Sequence, residues 1–281
     1  MTDQNNLSIL ERIHSAYYQL PAAERKVADY VLAKNNQVQF MSITQLAEEC
    51  GTAEATVSRF CRNLEFKGFN AFKLELARSQ TAVSKAAHNP NTLEGRSKHV
   101  GEMSVEAINQ TIDMIEPHQV LRTVELFETA PRIICIGSGG SMIIAEECAH
   151  LFSTVTGKFI AIADSHTQMS AVATLDPQDV IVLFSYSGAT TNGIQVLELA
   201  KQRGIATVLV TRFNKSPAAK LADVVLRCGS NESPFQFGSV PAKVAQLMVI
   251  DVLFQEYCHR NREACEENIQ RIASALSVKH I

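Results

Sequence analysis

The sequence predicts an α/β fold in which an N-terminal all-α domain is joined to a three-layer α/β/α domain with a parallel sheet. Residues 1–77 show the helical spacing of apolar residues and contain no convincing strand pattern. From residue 131 onward, short β-branched runs alternate with helical segments, which is typical of a parallel sheet covered on both faces. A length of 281 residues is also consistent with two domains.

Composition indicates a globular protein with 46% hydrophobic and 20% charged residues, enough for packed cores. A net charge of −3 argues against a protein that coats nucleic acid indiscriminately, although it allows a small local DNA-reading surface. The seven cysteines are scattered without a CxxC pair, so we expect buried free thiols. The sequence predicts neither a metal site nor a cofactor. Since no signal peptide and no apolar run of about 20 residues is visible, we expect a soluble cytoplasmic protein.

The first part of the chain is predicted as a series of helices. LSILERIHSAYYQL and PAAERKVADYVLAK carry apolar residues at helical spacing, and Pro21 stands at a favoured opening position for the second of them. The next segment, SITQLAEEC, should begin at Ser42 as N-cap with Gln45 three residues on, and Gly51 should end it. Thr52 should then be the N-cap of the following helix, TAEATVSRFCRNL.

The last two of these helices form a helix-turn-helix pattern. The second helix should bury Val57, Phe60 and Leu64, which leaves its other face for solvent or a partner. A recognition helix reads bases mainly from its N-terminal part, and basic residues contact phosphates. The DNA-binding residues that we expect are Thr52, Thr56, Ser58, Arg59, Arg62 and Lys67, with Lys73 as a further backbone contact. An ordinary helical hairpin with a solvated face would show the same pattern, so this alternative stays open.

We place a linker at residues 80–100, where apolar periodicity is lost and Asn-Pro and Gly occur. The predicted domains are therefore residues 1–79 and residues 101–281. Residues 101–130 should form one or two helices that break near Pro117. The predicted strands are RIICIG, KFIAIA, DVIVLF, ATVLV and DVVLRC. The apolar segment PAKVAQLMVIDVLFQEY predicts a closing helix.

Two of the predicted strands are followed by loops rich in glycine and serine. In GSGGS, backbone amides and a helix N-terminus favour an anion. This loop lacks a dinucleotide fingerprint, because Met142 stands where the third glycine is required, and no Walker A sequence follows. In SYSGATTNG, Ser185, Ser187 and Thr190 surround Gly188 and offer neutral donors for one phosphate monoester. A serine-rich turn that caps a helix would explain only one of the three hydroxyl groups.

These motifs resemble two known protein modules. FSYSGAT, IGSGGS and SPAAKLAD resemble the sugar isomerase (SIS) domain, in which an S-x-S-G-x-T loop holds the phosphate of a phosphosugar. ERKVADYVL and MSITQLAEECGTAEATVSRFCRNLEFKGFNAFKLEL resemble the RpiR-type transcriptional regulators, which join a helix-turn-helix domain to a SIS domain. The two matches span nearly the whole chain. The resemblance implies a phosphosugar-responsive regulator rather than an enzyme.

The resemblance also implies which residues hold the ligand, and position in the predicted fold adds two more. The ligand-binding residues that we expect are Ser138, Ser141, His166, Ser185, Ser187, Gly188, Thr190 and Lys243. His166 follows the second strand, at a strand end where α/β sites collect ligand groups. Lys243 stands near the start of the closing helix, where members of the family often have arginine. A structural histidine and a solvated lysine are the alternatives for these two positions.

Two other functions stay open at this point. An isomerase of this fold would need a general base beside the sugar carbons. The candidate carboxylates are Glu146, Glu147, Glu232 and Glu256, and their spacing matches no acid–base pair. A phosphosugar isomerase or lyase with a helical appendage is therefore the first alternative, and a scaffold whose SIS domain only dimerises is the second.

The resemblance extends to the effector and the partner. The chain resembles the sialic-acid catabolism repressors of the family, which sense N-acetylmannosamine 6-phosphate. We therefore expect a homodimer or higher homo-oligomer that binds a palindromic operator and is released by that sugar 6-phosphate. N-acetylglucosamine 6-phosphate, N-acetylmuramic acid 6-phosphate and hexose or pentose phosphates are alternative effectors. The family also contains activators, so the sequence leaves the sign of regulation open.

Overall fold

The computed structural model describes residues 9–80, 92–229 and 240–277. The chain divides into two compact units, and the division falls between residues 99 and 100, at the end of the predicted linker. No helix among the described residues is long and apolar enough to cross a membrane.

The first unit is helical, as predicted. Its helices are α1 (Ile9–Ala16), α2 (Ala22–Val38), α3 (Ile43–Glu49), α4 (Glu54–Asn63) and α5 (Phe69–Gln80). A short 3-10 turn follows α1. Ile13, Val27, Phe60 and Phe72 are fully buried in a shared core, and Phe60 and Phe72 meet edge to face with ring centroids 5.5 Å apart.

The predicted start and end of α3 are confirmed. Ser42 Oγ accepts a hydrogen bond from the backbone N–H of Gln45 (3.1 Å), and Gln45 Oε1 accepts one from the backbone N–H of Ser42 (3.0 Å). This reciprocal pair satisfies two N–H groups that the first turn would otherwise leave unpaired. After the last turn, Gly51 has a φ of +60°, a conformation that glycine adopts at no steric cost.

The predicted N-cap of α4 is wrong by one residue. Ala53 occupies the N-cap position, and no side chain caps the helix. Thr52 instead completes the end of α3, because its backbone N–H bonds to Ala47 O (2.8 Å) and its Oγ1 donates to the same oxygen (3.5 Å). A residue that closes one helix in this way is not placed to cap the next.

The second unit is the predicted α/β domain. Its elements are the larger part of α6 (Leu93–Met114), whose residues 93–99 fall in the first unit, and α7 (Pro117–Thr129), β1 (Ile133–Gly137), α8 (Gly140–Ser153), β2 (Phe159–Ala161), α9 (Ser165–Thr174), β3 (Val180–Phe184), α10 (Thr191–Arg203), β4 (Ala206–Thr211), β5 (Val224–Arg227), α11 (Val240–Arg260) and α12 (Arg262–Leu276). The five predicted strands are confirmed and are all parallel, in the order β2-β1-β3-β4-β5. The break between α6 and α7 lies just before Pro117, as expected.

Helices cover the sheet on both faces. Cys135 and Val182 belong to a core that includes residues of α7, α8 and α11. Ile134 and Ile181, their neighbours in sequence, belong to a second core with residues of α9 and α10. Because side chains alternate between the two faces of a strand, β1 and β3 are buried at every position. The predicted three-layer arrangement is confirmed.

An ion pair between the buried Asp179 and the half-exposed Arg132 joins the amino ends of the two neighbouring strands β1 and β3. Asp179 is 1% exposed and accepts hydrogen bonds from Arg132 Nε (3.1 Å), from Arg132 Nη2 (2.6 Å) and from the backbone N–H of Asp176 (2.8 Å). Burial alone would raise the pKa of Asp179, but the hydrogen bonds from Arg132 and Asp176 outweigh burial and lower it. The pair joins the residue before β1 to the residue before β3.

The last part of the predicted linker, residues 80–100, is helical. α6 begins at Leu93, so residues 93–100 are helical, while residues 81–91 lie outside the described part of the chain. The first turns of α6 are exposed apart from one glycine, and Lys98 pairs with Glu94 at 2.7 Å. Apolar periodicity reports burial, so an exposed helix of this kind leaves no such signal in the sequence.

The expected burial of the thiols is confirmed for six of the seven cysteines. Burial raises the pKa of Cys50 to about 11 and that of Cys61 to about 12. The reactive thiolate form is therefore disfavoured at these two positions near neutral pH.

Candidate functional site

The strand order places two loops beside each other at the carboxyl edge of the sheet. After β1 the chain passes through α8 to β2, at one end of the strand order. After β3 it passes through α10 to β4, in the opposite direction along the sheet. Connections that diverge in this way leave a crevice at the carboxyl ends of the strands, where α/β proteins bind ligands. Gly137 pairs with Phe184 at this edge, so loops 138–141 and 185–190 flank the crevice.

The first loop is shaped by two glycines. A Cβ added to Gly137 would lie 2.6 Å from Ser141 O, so glycine is required for α8 to begin this close to β1. Gly139 has a φ of +56° and is the N-cap of α8, which has no side-chain cap. Ser138 is exposed and Ser141 is partly buried in the first turn of α8. Both predicted hydroxyl groups therefore adjoin a helix N-terminus that favours an anion.

The second loop brings together two of its three predicted hydroxyl groups. Ser185 is 5% exposed, and its Oγ lies 3.4 Å from Thr190 Oγ1. Thr190 occupies the N-cap position of α10, yet its side chain does not cap the helix, so the capping alternative does not account for it. Ser187 is exposed, and its Oγ accepts a hydrogen bond from the backbone N–H of Ala189 (3.3 Å). The loop thus presents hydroxyl groups at the N-terminus of α10.

Gly188 allows this loop to pack against the chain that follows β4. Its φ is +59°, and a Cβ there would lie 2.0 Å from the buried Ser216 Oγ. Its carbonyl oxygen accepts a hydrogen bond from the backbone N–H of Ala218 (2.9 Å). Thr211 Oγ1 also donates to Tyr186 O (3.1 Å). Ser216 and Ala218 belong to SPAAKLAD, so the structure explains why this stretch accompanies the hydroxyl loop.

Sequence reasoning missed Gln168, which connects the strand ends below the crevice. Gln168 lies on α9, is 1% exposed, and donates through Nε2 to Gly137 O (3.0 Å) and Ile162 O (2.8 Å). Its Oε1 accepts a hydrogen bond from Nδ2 of Asn192, in the first turn of α10 (2.7 Å). One signal was available, because Gln168 stands four residues before the buried Val172 and therefore on the apolar face of α9.

His166 and Lys243 lie near the starts of two helices. His166 is exposed in the first turn of α9, whose N-cap Asp164 accepts hydrogen bonds from the backbone N–H of Thr167 (2.8 Å) and from Thr167 Oγ1 (2.9 Å). These two bonds, the backbone one foremost, lower the pKa of Asp164. Lys243 is partly buried near the start of α11. The ligand-binding roles of His166 and Lys243 stay predictions.

The exposed face of α4 (Glu54–Asn63) carries three of the six predicted DNA-binding residues, and Thr52 and Lys67 lie just before and after this helix. The exposed or partly exposed ones are Thr52, Ser58, Arg59, Arg62 and Lys67. Thr56 is the exception, because it is 5% exposed and its Oγ1 accepts a hydrogen bond from Arg59 Nη2 (3.1 Å). It lies one turn before the buried Phe60, on the flank of the apolar stripe. Thr56 therefore supports the Arg59 side chain in this structure, and its expected groove contact stays a prediction.

The first unit contains a helix-turn-helix, and the second has a crevice flanked by two loops that favour an anion. This combination is typical of DNA-binding regulators that respond to a ligand. Comparison with known families agrees, since the helix-turn-helix domain of the rpiR family matches residues 7–82 and the SIS domain matches residues 126–255. An HTH-type transcriptional regulator of Haemophilus influenzae is 30% identical, with 98% of each chain covered. The chain belongs to the RpiR family of transcriptional regulators.

Named relatives and solved structures give further comparisons. The regulator HexR of Escherichia coli is 27% identical, with 96% of this chain and 94% of HexR covered. The NanR protein of Vibrio vulnificus, solved in complex with ManNAc-6P, is 28% identical with a TM-score of 0.87, covering 96% of this chain and 98% of NanR. The sugar isomerase domain of an RpiR transcription factor from Sphaerobacter thermophilus shares the fold, with a TM-score of 0.57 at 23% identity. The protein is therefore a transcriptional regulator that joins a helix-turn-helix domain to a SIS domain.

Proposed function

We propose that the protein represses genes of amino-sugar (sialic acid) catabolism and that N-acetylmannosamine 6-phosphate (ManNAc-6P) relieves the repression. The observation that carries this proposal is the cradle of neutral hydroxyl groups at the N-termini of α8 and α10, which suits one phosphate monoester. The likeness to NanR, solved with ManNAc-6P, favours this effector over the other sugar phosphates.

In this proposal the two loops and the two helix starts have separate tasks. Loop 185–190 and the first-loop residues Ser138 and Ser141 hold the phosphate through hydroxyl and backbone N–H groups. His166 recognises the N-acetyl group, and Lys243 meets sugar or phosphate oxygens as a compact cation. Hydrogen bonds from neutral donors are weaker than those from charged ones. The effector is therefore released again when its concentration falls.

The DNA-binding half of the proposal concerns α4 and the oligomer. The protein acts in the cytoplasm as a homodimer or larger homo-oligomer, and each α4 enters one half-site of a palindromic operator. Ser58 and Arg59 face the groove, while Arg62 and Lys67 contact phosphates. Two linked half-sites supply an affinity that one helix-turn-helix unit does not reach alone.

The effector changes operator affinity only as far as it binds two states of the protein unequally. The α/β unit contains contacts through which the phosphate loop reaches α6. Tyr186 O accepts hydrogen bonds from Thr211 Oγ1 (3.1 Å) and from the backbone N–H of Arg212 (3.1 Å). Arg212 Nη1 lies 3.2 Å from Met114 Sδ, at the end of α6. In this proposal a shift of loop 185–190 is passed through these contacts to α6.

Thermal denaturation with a panel of sugar 6-phosphates, each beside its unphosphorylated sugar, tests the proposal. A ligand that binds only the native protein raises Tm by mass action, so we expect a rise with ManNAc-6P and none with N-acetylmannosamine. Ser187→Ala, which removes an exposed hydroxyl group, should abolish this rise. It should also abolish the effector's influence on binding to a duplex that the unaltered protein selects from a random pool, without changing the binding itself.

Ser153→Ala is the matched control, because Ser153 is exposed at the last residue of α8, far along the helix from the cradle. A rise in Tm with another phosphosugar instead of ManNAc-6P would support the phosphate site and indicate a pathway other than sialic acid catabolism. No rise with any phosphosugar, or a Ser187→Ala protein that responds normally, would contradict the phosphate site.

A further inference from the structure

Glu24 is a carboxylate buried in the helical unit. It stands in the first turn of α2, where an acidic side chain ordinarily stays in solvent near the positive end of its own helix. Here Glu24 is only 3% exposed. A buried charge is costly unless it is paired and hydrogen-bonded, so the partners of Glu24 indicate why it is retained.

The partners of Glu24 both lie on α4. Its Oε2 accepts a hydrogen bond from Asn63 Nδ2 (2.7 Å), and its Oε1 lies 3.8 Å from Arg59 Nε. Arg59 also donates through Nη2 to Thr56 Oγ1 (3.1 Å), while its side chain stays 60% exposed. The guanidinium group is therefore held from the protein side by Glu24 and Thr56 and still reaches solvent.

The contacts with Glu24 and Thr56 restrict the orientation of the Arg59 guanidinium group, and a restricted orientation is what hydrogen bonding to base edges requires. Arginine recognises guanine through two N–H donors in a fixed plane, whereas a phosphate accepts a cation in many orientations. The negative charge of Glu24 also opposes the attraction of this surface to the phosphates of any DNA. Glu24 thus lowers general affinity while it fixes the geometry of Arg59 and Asn63.

We propose that Glu24 is a positioning residue of the DNA interface, which orients Arg59 and Asn63 and so raises discrimination between operator and other DNA. Glu24 acts through these two residues and does not itself contact bases. The inference rests on the proposed DNA-binding role of α4.

The test compares two duplexes, one selected from a random pool by the unaltered protein and one with the same bases in scrambled order. Dissociation constants of the full chain are measured by fluorescence anisotropy over a range of salt concentrations. Glu24→Gln keeps an amide oxygen for Asn63 but removes the charge that holds Arg59. We expect the ratio of the two affinities to fall about tenfold or more, with affinity for the scrambled duplex unchanged or higher.

Two further variants distinguish failure of the DNA-binding role of α4 from failure of the positioning role of Glu24. Asp29→Asn removes the same charge from an exposed position on α2, where Asp29 accepts a hydrogen bond from Tyr17 Oη (2.6 Å), and should leave the ratio unchanged. Arg59→Ala should weaken binding to the selected duplex. If Arg59→Ala binds normally, the role of α4 fails. If it binds weakly while Glu24→Gln keeps the ratio, only the positioning role of Glu24 is overturned.

Base preference gives a second readout that a purely structural role would not move. Repeating the selection with Glu24→Gln should relax the preference at the same base positions that Arg59→Ala relaxes. Equal loss of affinity for both duplexes, with the selected sequence unchanged, would overturn the proposal. If circular dichroism shows Glu24→Gln unfolded, Glu24→Asp serves instead, because it keeps the charge but is one methylene too short to hold Arg59.

Discussion

Gly188 is the residue on which the geometry of loop 185–190, the proposed phosphate loop, depends. Its φ is +59°, and a Cβ there would lie 2.0 Å from Ser216 Oγ and 3.2 Å from Thr211 Oγ1. We expect Gly188→Ala to lower the free energy of unfolding by about 2–4 kcal/mol, through backbone strain and overpacking together. Because the loop must move to make room for the methyl group, the rise in Tm with the effector should also be lost.

Gly204→Ala is the comparison for this prediction. Gly204 follows α10 with a φ of +69°, but nothing lies within 4 Å of the added Cβ. Only backbone strain of about 1 kcal/mol is expected there, and the response to the effector should stay intact. Urea denaturation measures both losses. Equal losses in the two variants would show that the contact with Ser216 is unimportant.

The site residues differ in how far the sequence predicts them, and the difference has a physical cause. Ser185, Ser187 and Thr190 are close in sequence, so one short motif displays them together. Ser216 and Gln168 act through contacts with residues that are distant in the chain, and only the folded sheet brings those residues together. Their polar side chains are also buried, which contradicts the usual expectation for serine and glutamine.

At the scale of single elements, α4 ends in a turn that ordinarily contains glycine. Glu65 has a φ of +66°, and the backbone N–H of Phe66 bonds to Cys61 O (2.9 Å), as in helix ends with a left-handed residue. A residue with a Cβ is strained there by about 1 kcal/mol. The ion pair of Glu65 with Arg12 (3.7 Å) offsets little of this strain, because the Glu65 side chain is 71% exposed.

Glu65→Gly should therefore raise the free energy of unfolding of the helical unit by about 0.5–1 kcal/mol. Glu65→Ala removes the same ion pair but keeps the Cβ, so it should bring no gain. Guanidinium denaturation followed by circular dichroism distinguishes the two variants. A gain in Glu65→Ala as large as that in Glu65→Gly would mean that the charge, and not the backbone, limits the stability of this helix end.

Element boundaries were less predictable than element types. All five strands were predicted from their β-branched runs. In β1 and β3, burial on both faces leaves little freedom of composition. The start of α4 was misplaced because Thr52 suits both the end of one helix and the start of the next, and only its hydrogen bond to Ala47 O decides between them. The first turns of α6 were hidden because they are exposed.

At the scale of the whole molecule, the proposed coupling between effector and operator depends on contacts between loop 185–190 and α6. Arg212 is the residue through which the phosphate loop and α6 share contacts, since its backbone N–H bonds to Tyr186 O (3.1 Å) and its Nη1 lies 3.2 Å from Met114 Sδ. α6 begins in the helical unit and ends in the α/β unit. A side chain at its last residue is well placed to move with the loop.

We therefore expect Arg212→Ala to bind effector and operator separately but to lose most of the coupling between them. Linkage requires that the effector lower operator affinity by the same factor by which the operator lowers effector affinity. Titrations in both directions should give two factors that agree in the unaltered protein and approach one together in Arg212→Ala. Arg203→Ala is the control, because Arg203, the last residue of α10, donates a hydrogen bond to Leu175 O at the end of α9 (3.0 Å), away from loop 185–190. This variant should keep both factors. If Arg212→Ala also keeps them, the coupling runs through other contacts of α6, such as the hydrogen bond from the backbone N–H of Gly229 to Thr111 Oγ1 (2.9 Å).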